Sequence, residues 1–264
     1  MMNMSNKNNT ITAIYLIKNE ENFIKESIES VESIADEIII FDTGSSDKTT
    51  DMIKSIKSEK VRLYLKGEKK PEELIELKNE MSALVKTEWF WILDGDEIYG
   101  EEANLIKEEL LKVPQDVHRL QIEVIDLVKN LNMVYSRYIG KIFRTKEICF
   151  IGEFPYEKVT LKENPDIDIK NISIKLIPKI KCFHLCYFPR SSKDLDVGYA
   201  RHWRRLPYPI KPYFGPWPKA LTAKFSYSKQ IGFRFIIDFF VMFVTIIFDR
   251  LFVKLVKENP SKRA

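Results

Sequence analysis

The first hundred residues switch repeatedly between two hydrophobic periods, and that alternation restricts the chain to a sheet wrapped by helices. Ile11–Ile17 is a continuous apolar run of strand length. Phe23, Ile24, Ile28, Val31 and Ile34 then recur at helical spacing among Glu, Lys and Ser, and residues 37–41 return to a β-branched run, completing a β-α-β unit. A turn over residues 42–47 leads to a helix marked by Met52, Ile53 and Ile56, then to a strand at Val61–Leu65. A further helix over residues 72–85 precedes the apolar strand Trp89–Leu93, which stops at Asp94-Gly95-Asp96-Glu97. Right-handed crossovers make these strands parallel, so the acidic turns after Phe41 and Leu93 face one crevice at the strand ends, where open α/β sheets bind ligands. After Pro114 the pattern loosens. Strand-like segments at residues 119–124, 138–143, 172–177 and 181–188 predict a mixed extension of the sheet.

The chemistry is concentrated in the turn after Leu93. Asp94 and Asp96, with Gly95 between them, can present two carboxylates to one divalent cation. Taken alone, Asp-Gly-Asp is also an ordinary solvated turn. An EF-hand is excluded, because Ile98 and Tyr99 stand where such a loop needs a liganding side chain and a Gly.

Four segments in order resemble family 2 glycosyltransferases of the GT-A fold. They are Lys18-Asn19-Glu20-Glu21, Asp42-Thr43-Gly44-Ser45-Ser46-Asp47-Lys48-Thr49, Lys78-Asn79, and Trp91-Ile92-Leu93-Asp94-Gly95-Asp96-Glu97. The Asp-Thr-Gly-Ser turn is similar to that of a subgroup that includes lipopolysaccharide core glucosyltransferases. The resemblance implies an α/β fold with a mostly parallel Rossmann-like sheet flanked by helices. It implies inverting transfer from a nucleotide-diphosphate sugar, a UDP-sugar being favoured, assisted by Mn2+ or Mg2+. Asp96 is then the principal metal ligand, with Asp94 near the ribose or the metal. Asn19, Glu20, Asp42, Gly44, Ser45 and Lys78 fall on the donor side. Thr43 departs from the pattern, since the family often has a second Asp there that reads the base.

The same subgroup places an aromatic, a Gly and a His-Glu pair after a Phe-Arg strand. Here Phe143-Arg144 is followed by Phe150-Ile151-Gly152-Glu153-Phe154-Pro155-Tyr156-Glu157, so the resemblance points to Glu157 as general base, with Glu153 as its rival. Tyr156 stands where the subgroup has His. The subgroup also places His184 near the metal or diphosphate, with Cys186 replacing a Gly. Cys182, His184 and Cys186 alternate with period two and share a face if the segment is a strand, but no fourth ligand is evident for zinc.

One catalytic domain over residues 1–196 is expected, with a nucleotide-sugar half at about 10–113 and an acceptor half at 114–196. Residues 197–264 are a tail. Three cysteines in a 264-residue chain form no even framework, which favours a reducing, cytoplasmic compartment. Between Val197 and Ile237 there is no Asp or Glu, while Arg201, Arg204, Arg205, Lys211, Lys219 and Lys224 interleave with aromatic residues. A following apolar helical face around residues 235–249 is too short of uncharged residues to span a bilayer, so the tail reads as an amphipathic, peripheral anchor at the inner face of a membrane. No nucleic-acid-binding module surrounds the basic residues. The partners expected are a nucleotide-sugar donor and a glycan or lipid-linked acceptor. A sugar-nucleotide pyrophosphorylase is disfavoured, because it needs a Gly-rich, Arg-containing loop where Lys18-Asn19-Glu20-Glu21 stands. A non-catalytic scaffold of the same fold remains the alternative from another class.

Overall fold

A computed structural model describes residues 9–127, 133–153, 157–169, 174–195, 211–213 and 215–225. The chain runs β1 (Ile11–Ile17), α1 (Ile24–Glu32), β2 (Glu37–Asp42), α2 (Thr49–Lys54), β3 (Val61–Leu65), α3 (Leu74–Leu84) and β4 (Trp89–Leu93). These four strands lie in the order β3-β2-β1-β4, and every pairing among them is parallel. The continuous apolar runs follow from burial on both faces. Along β1, Ile11, Ala13, Tyr15 and Ile17 enter one core with Ile24, Ile28 and Val31 of α1, while Ile14 enters a second core with Ile75, Leu77 and Met81 of α3. β2 and β4 divide by the same alternation: Ile38, Ile40, Trp89 and Trp91 on one side, Ile39, Phe41 and Phe90 on the other.

The second half adds β5 (Glu97–Tyr99), α4 (Ile106–Leu111), β6 (Arg119–Leu127), β7 (Met133–Arg144), β8 (Ile148–Ile151), β9 (Lys158–Leu161), β10 (Asn164–Asp168), β11 (Ile174–His184), β12 (Lys211–Pro212) and a short helix α5 (Lys219–Lys224). β7 joins the first sheet antiparallel to β4, and the order continues β7-β6-β11-β5, so the extension is mixed as the sequence predicts. β8, β9 and β10 form a separate antiparallel sheet, which packs on α3 and which no sequence signal announced.

Two expectations change. The segments at residues 172–177 and 181–188 are not separate strands, because β11 runs from Ile174 to His184 with a register shift between Ile177 and Lys181. It stops at His184 because the Leu185 N–H donates to the Asp96 carbonyl at 2.9 Å and the Phe188 N–H closes a turn onto the Leu185 carbonyl at 2.8 Å. Part of the aromatic segment expected at a lipid surface instead covers the sheet. Trp217 lies tilted against Phe183 at 5.5 Å between ring centroids, Tyr213 lies at 5.8 Å from the same ring, and Phe225 meets Phe188 at 5.3 Å. Leu221 of α5 is fully buried among them. Arg201, Arg204, Arg205 and the apolar helical face around 235–249 lie outside the described residues. Among the described residues no helix is long and apolar enough to cross a membrane.

Candidate active site

The parallel strands β1 and β4 end on one edge, and a cavity of about 680 Å³ opens there. Its walls include Asn19 and Glu20 after β1, Thr43 after β2, and Asp94, Gly95 and Asp96 after β4. The two turns that the sequence places on one crevice therefore do meet. His184 and Cys186, from the end of β11, complete that side, and Lys78 of α3 faces them with Phe150 of β8.

Strand register explains why His184 arrives at the acidic turn. β5 doubles back after β4 and pairs antiparallel with β11, setting Glu97 opposite His184, while β6 pairs parallel with β11 and sets Asp126 opposite His184 on the other side. Directly paired residues point to the same face of a sheet, so Asp126, His184 and Glu97 form a row. The Asp126 carboxylate accepts from His184 Nδ1 at 2.7 Å, and His184 Nε2 lies 3.5 Å from Asp96 Oδ1. Burial favours the neutral ring, but Asp96 and Asp126 hold the imidazole pKa well above its usual value. Asp126 is itself held below the usual carboxylate range by His184 and Arg137, against its burial.

Asp94 projects into the cavity, with its side chain 55 % exposed, whereas Glu97 beneath it is 1 % exposed. Lys141 Nζ, on β7, lies 3.2 Å from Asp94 Oδ2 and 2.6 Å from Glu97 Oε1. That ammonium holds the Asp94 carboxyl well below its ordinary range. For Glu97 desolvation outweighs the same attraction and pushes the carboxyl up to about 7. Glu97 Oε2 also accepts from the Asp94 N–H at 3.2 Å, closing the turn.

The donor-side residues divide into those on the cavity and those behind it. Asn19 lines the cavity in the left-handed backbone region, at φ 55°, which Asn tolerates. Its N–H donates to Ser45 Oγ at 2.9 Å and its Oδ1 accepts from the Ser46 N–H at 2.8 Å, so the first two loops are tied together. Ser45 acts in that tie and does not line the cavity. Asp42 also stands behind the wall: Oδ1 accepts from the N–H groups of Gly44 and Ser45, and Oδ2 is buried with no hydrogen-bond partner among the described residues. Gly44 has φ +90°, and a Cβ there would meet the Glu68 backbone N at 2.8 Å, so only glycine fits this turn. Glu20 lines the cavity while its Oε1 accepts from Arg190 Nη1 at 2.7 Å, and its methylenes press on Gly95.

Lys78 lines the cavity and forms an ion pair with Glu157 just behind it. The neighbouring Asn79 holds β8 as a strand would, donating to the Phe150 carbonyl at 2.8 Å and accepting its N–H at 2.9 Å. The Lys78-Asn79 pair thus fixes both the second sheet and the Glu157 carboxylate to the cavity wall. Glu153 is exposed and makes no such approach. Tyr156 lies outside the described residues. Cys149 belongs to the second sheet, with its Sγ 3.3 Å from Thr160 Oγ1, and takes no part in the site.

The family profile for glycosyl transferase family 2 matches residues 12–147, just over half of the chain. The chain belongs to glycosyl transferase family 2. Among curated relatives, this family 2 chain is 28 % identical over 182 residues to the SPbeta prophage-derived glycosyltransferase SunS of Bacillus subtilis (strain 168), covering 68 % of this chain and 40 % of that protein. An uncharacterized glycosyltransferase of Rickettsia bellii (strain RML369-C) is 32 % identical over 92 residues, covering 35 % of this chain and 29 % of that one. The family 2 chain therefore spans well under half the length of these relatives. Among solved structures, Staphylococcus aureus TarS 1-349 superposes with a TM-score of 0.48 at 14 % identity, over 67 % of this chain and 60 % of that one.

The donor set of this family 2 site suits a hard divalent ion. Asp94 and Asp96 offer oxygens at the cavity, and His184 offers Nε2 because Asp126 takes Nδ1, the orientation by which an outer carboxylate fixes a metal-binding imidazole. Asp94, Asp96 and His184, which the sequence singles out, line the cavity, whereas Asp126, Glu97, Lys141 and Arg190 come to it only through the tertiary structure. Glu97 stood in the quoted motif, yet only the pairing of β5 with β11 shows that it turns inward.

Proposed function

We propose that this family 2 transferase moves a sugar, with inversion at its anomeric carbon, from a nucleotide-diphosphate donor to a hydroxyl of a glycan or lipid-linked acceptor, a UDP-sugar being the favoured donor. The observation that carries the proposal is the charge pattern of one cavity: Asp94, Asp96 and His184 converge at one wall, and Lys18, Lys69, Lys78 and Arg190 supply cations around it. A diphosphate and a divalent ion together match that pattern. Asp96 and His184 would hold the ion, with Asp94 reaching the ion or the donor ribose. A bound Mn2+ or Mg2+ supplies positive charge as the leaving diphosphate develops negative charge. Asn19 shapes the donor loop, and Arg190 keeps Glu20 from repelling the phosphates.

Inversion in one displacement needs the acceptor oxygen to attack from the face opposite the diphosphate, with its proton removed as the bond forms. Glu157 is the base in this reading, which rests on the resemblance of residues 150–157 to the subgroup pattern and on its ion pair with Lys78, a residue of the cavity wall. The region from Arg201 to the C-terminus is proposed to bring the enzyme to the cytoplasmic face of a membrane, a reading that rests on the cationic, acid-free stretch between Val197 and Ile237 and the apolar helical pattern that follows it.

The test is nucleotide release from uridine, guanosine and thymidine diphosphate sugars with Mn2+, with Mg2+ and with excess chelator. Release from a uridine donor that chelator suppresses is expected. Thermal stabilisation by nucleoside diphosphate without release from any donor would favour the non-catalytic scaffold, and neither binding nor release would remove the reading.

A further inference from the structure

Asp94, Glu97 and His184 present ligand atoms that all lie within 4.8 Å of one another, a spacing at which three side chains can share one cation. A cation is already there. Lys141 Nζ lies 2.6 Å from Glu97 Oε1 and 3.2 Å from Asp94 Oδ2, and the lysine side chain is only 8 % exposed. Its position is built into the sheet. On β7, Gly140 pairs with Gln121 and Ile142 with Leu120, so Lys141 is the extra residue of a bulge. Bulges of this kind turn a side chain away from its regular direction, and this one aims the ammonium under the turn that follows β4.

We propose that Lys141 is a resident counter-ion that fills the inner flank of the acidic turn and keeps a divalent ion from settling there before the nucleotide arrives. A dication placed between Asp94, Glu97 and His184 would have to share both carboxylates with a buried ammonium. Like charges a few ångströms apart in a protein-like dielectric repel strongly. The outer Asp94 oxygen, Asp96 and His184 Nε2 remain for an ion that brings its own anionic ligand, because diphosphate oxygens offset the ammonium. The apo protein is thereby kept from loading metal in a nucleotide-free form, and Glu97, which never reaches the cavity, has the task of holding the lysine. This inference rests on the geometry of the turn and not on sugar transfer, so its test uses neither donor nor acceptor.

The experiment titrates Mn2+ alone into the full chain, reading the free ion by electron paramagnetic resonance and the protein by thermal unfolding. Wild type and Lys141→Arg should bind weakly. Lys141→Met should bind Mn2+ about tenfold or more tightly than wild type, the scale of removing one like charge from such a site. Lys141→Met combined with Glu97→Gln should return to weak binding, because the inner ligand is gone. Equal affinity in wild type and Lys141→Met, or undiminished affinity in the double variant, overturns the proposal. If Lys141→Met does not fold in the absence of ions, recovery of cooperative unfolding with Mn2+ supports a dication taking the ammonium's place, and failure to recover overturns it. Should nucleotide release be absent from every form while these affinities behave as stated, the reading of transfer fails and this inference stands.

Discussion

Gly95 tests the packing of the acidic turn through a single methyl group. A Cβ at this position would lie 2.6 Å from Glu20 Cγ, 2.9 Å from its Cβ and 3.0 Å from its Cδ. Ordinary carbon contacts are about 3.5–4.0 Å, so Glu20 has to retreat by roughly an ångström. It is not free to do so cheaply: the atoms in the way belong to the base of its side chain, its N–H donates to Thr49 Oγ1 at 2.7 Å, and its carboxylate is held by Arg190 at 2.7 Å. Overpacking of this kind costs about 1–3 kcal/mol. At about 2–4 °C per kcal/mol for a domain of this size, Gly95→Ala should lower the unfolding midpoint by roughly 2–12 °C. Urea denaturation of wild type, Gly95→Ala, Glu20→Ala and the double variant gives the coupling between the two sites. The methyl should cost less once Glu20 is Ala, which removes the contacts with Cγ and Cδ and leaves the one with Cβ. If Gly95→Ala costs the same in both backgrounds, the contact with Glu20 is not the cause and the reasoning fails.

Asp96→Ala should lower turnover by about a hundredfold to a thousandfold, since a bound ion contributes several kcal/mol to leaving-group stabilisation, and calorimetry should show metal-dependent nucleotide binding lost with it; full activity under excess chelator would remove the metal from the mechanism. Glu157→Gln should reduce kcat by about 10²–10⁴-fold with donor affinity retained, as expected for a base that acts on the acceptor, and the same signature in Glu153→Gln instead would move the base across the 154–156 segment. Glu21 accepts from the Ser192 hydroxyl at 2.6 Å, the Ser192 N–H at 2.8 Å and the Lys48 N–H at 3.0 Å, which lowers its pKa from 4.5 to about 2. A depressed carboxylate lends stability that is present above 4.5 and lost as pH falls toward 2, so Glu21→Gln should weaken the fold at pH 7 and show a shallower acid loss than wild type in urea titrations; parallel curves would show that the clamp contributes nothing. Flotation with liposomes of graded anionic content should show binding that falls with added salt, and absence of lipid association at low salt would remove the peripheral anchor.

Much of the site was legible in the sequence because it is local. The turn after β4 is announced by an apolar strand that stops at Asp94, and parallel connections bring its neighbours after β1 and β2 to the same edge whatever the rest of the chain does. The Lys78-Asn79 pair was visible as a motif, although its work was not: Asn79 completes the edge of β8, a strand about seventy residues away in the chain. Gly44 could be read as a turn residue, and the turn does require positive φ. Asp42 was read as a donor contact by resemblance, and in the structure one of its oxygens holds its own turn.

The sequence by itself determined the layered α/β fold, the four parallel strands and the position of the acidic turn, because hydrophobic period and strand-end chemistry are properties of short stretches. Tertiary structure alone decided the charge state and neighbours of that turn. Asp126 and Glu97 flank His184 only because β6 and β5 pair with β11 in a particular register, and a shift of one residue would send each side chain to the opposite face. Lys141 reaches Asp94 only through a bulge in β7, where one unpaired residue changes the direction of a side chain without leaving a mark in the local pattern. Tyr213, Trp217 and Phe225 read identically in sequence as anchors for lipid or as cover for a sheet, and only the fold shows them packed on the cluster of Phe23, Phe183 and Phe188.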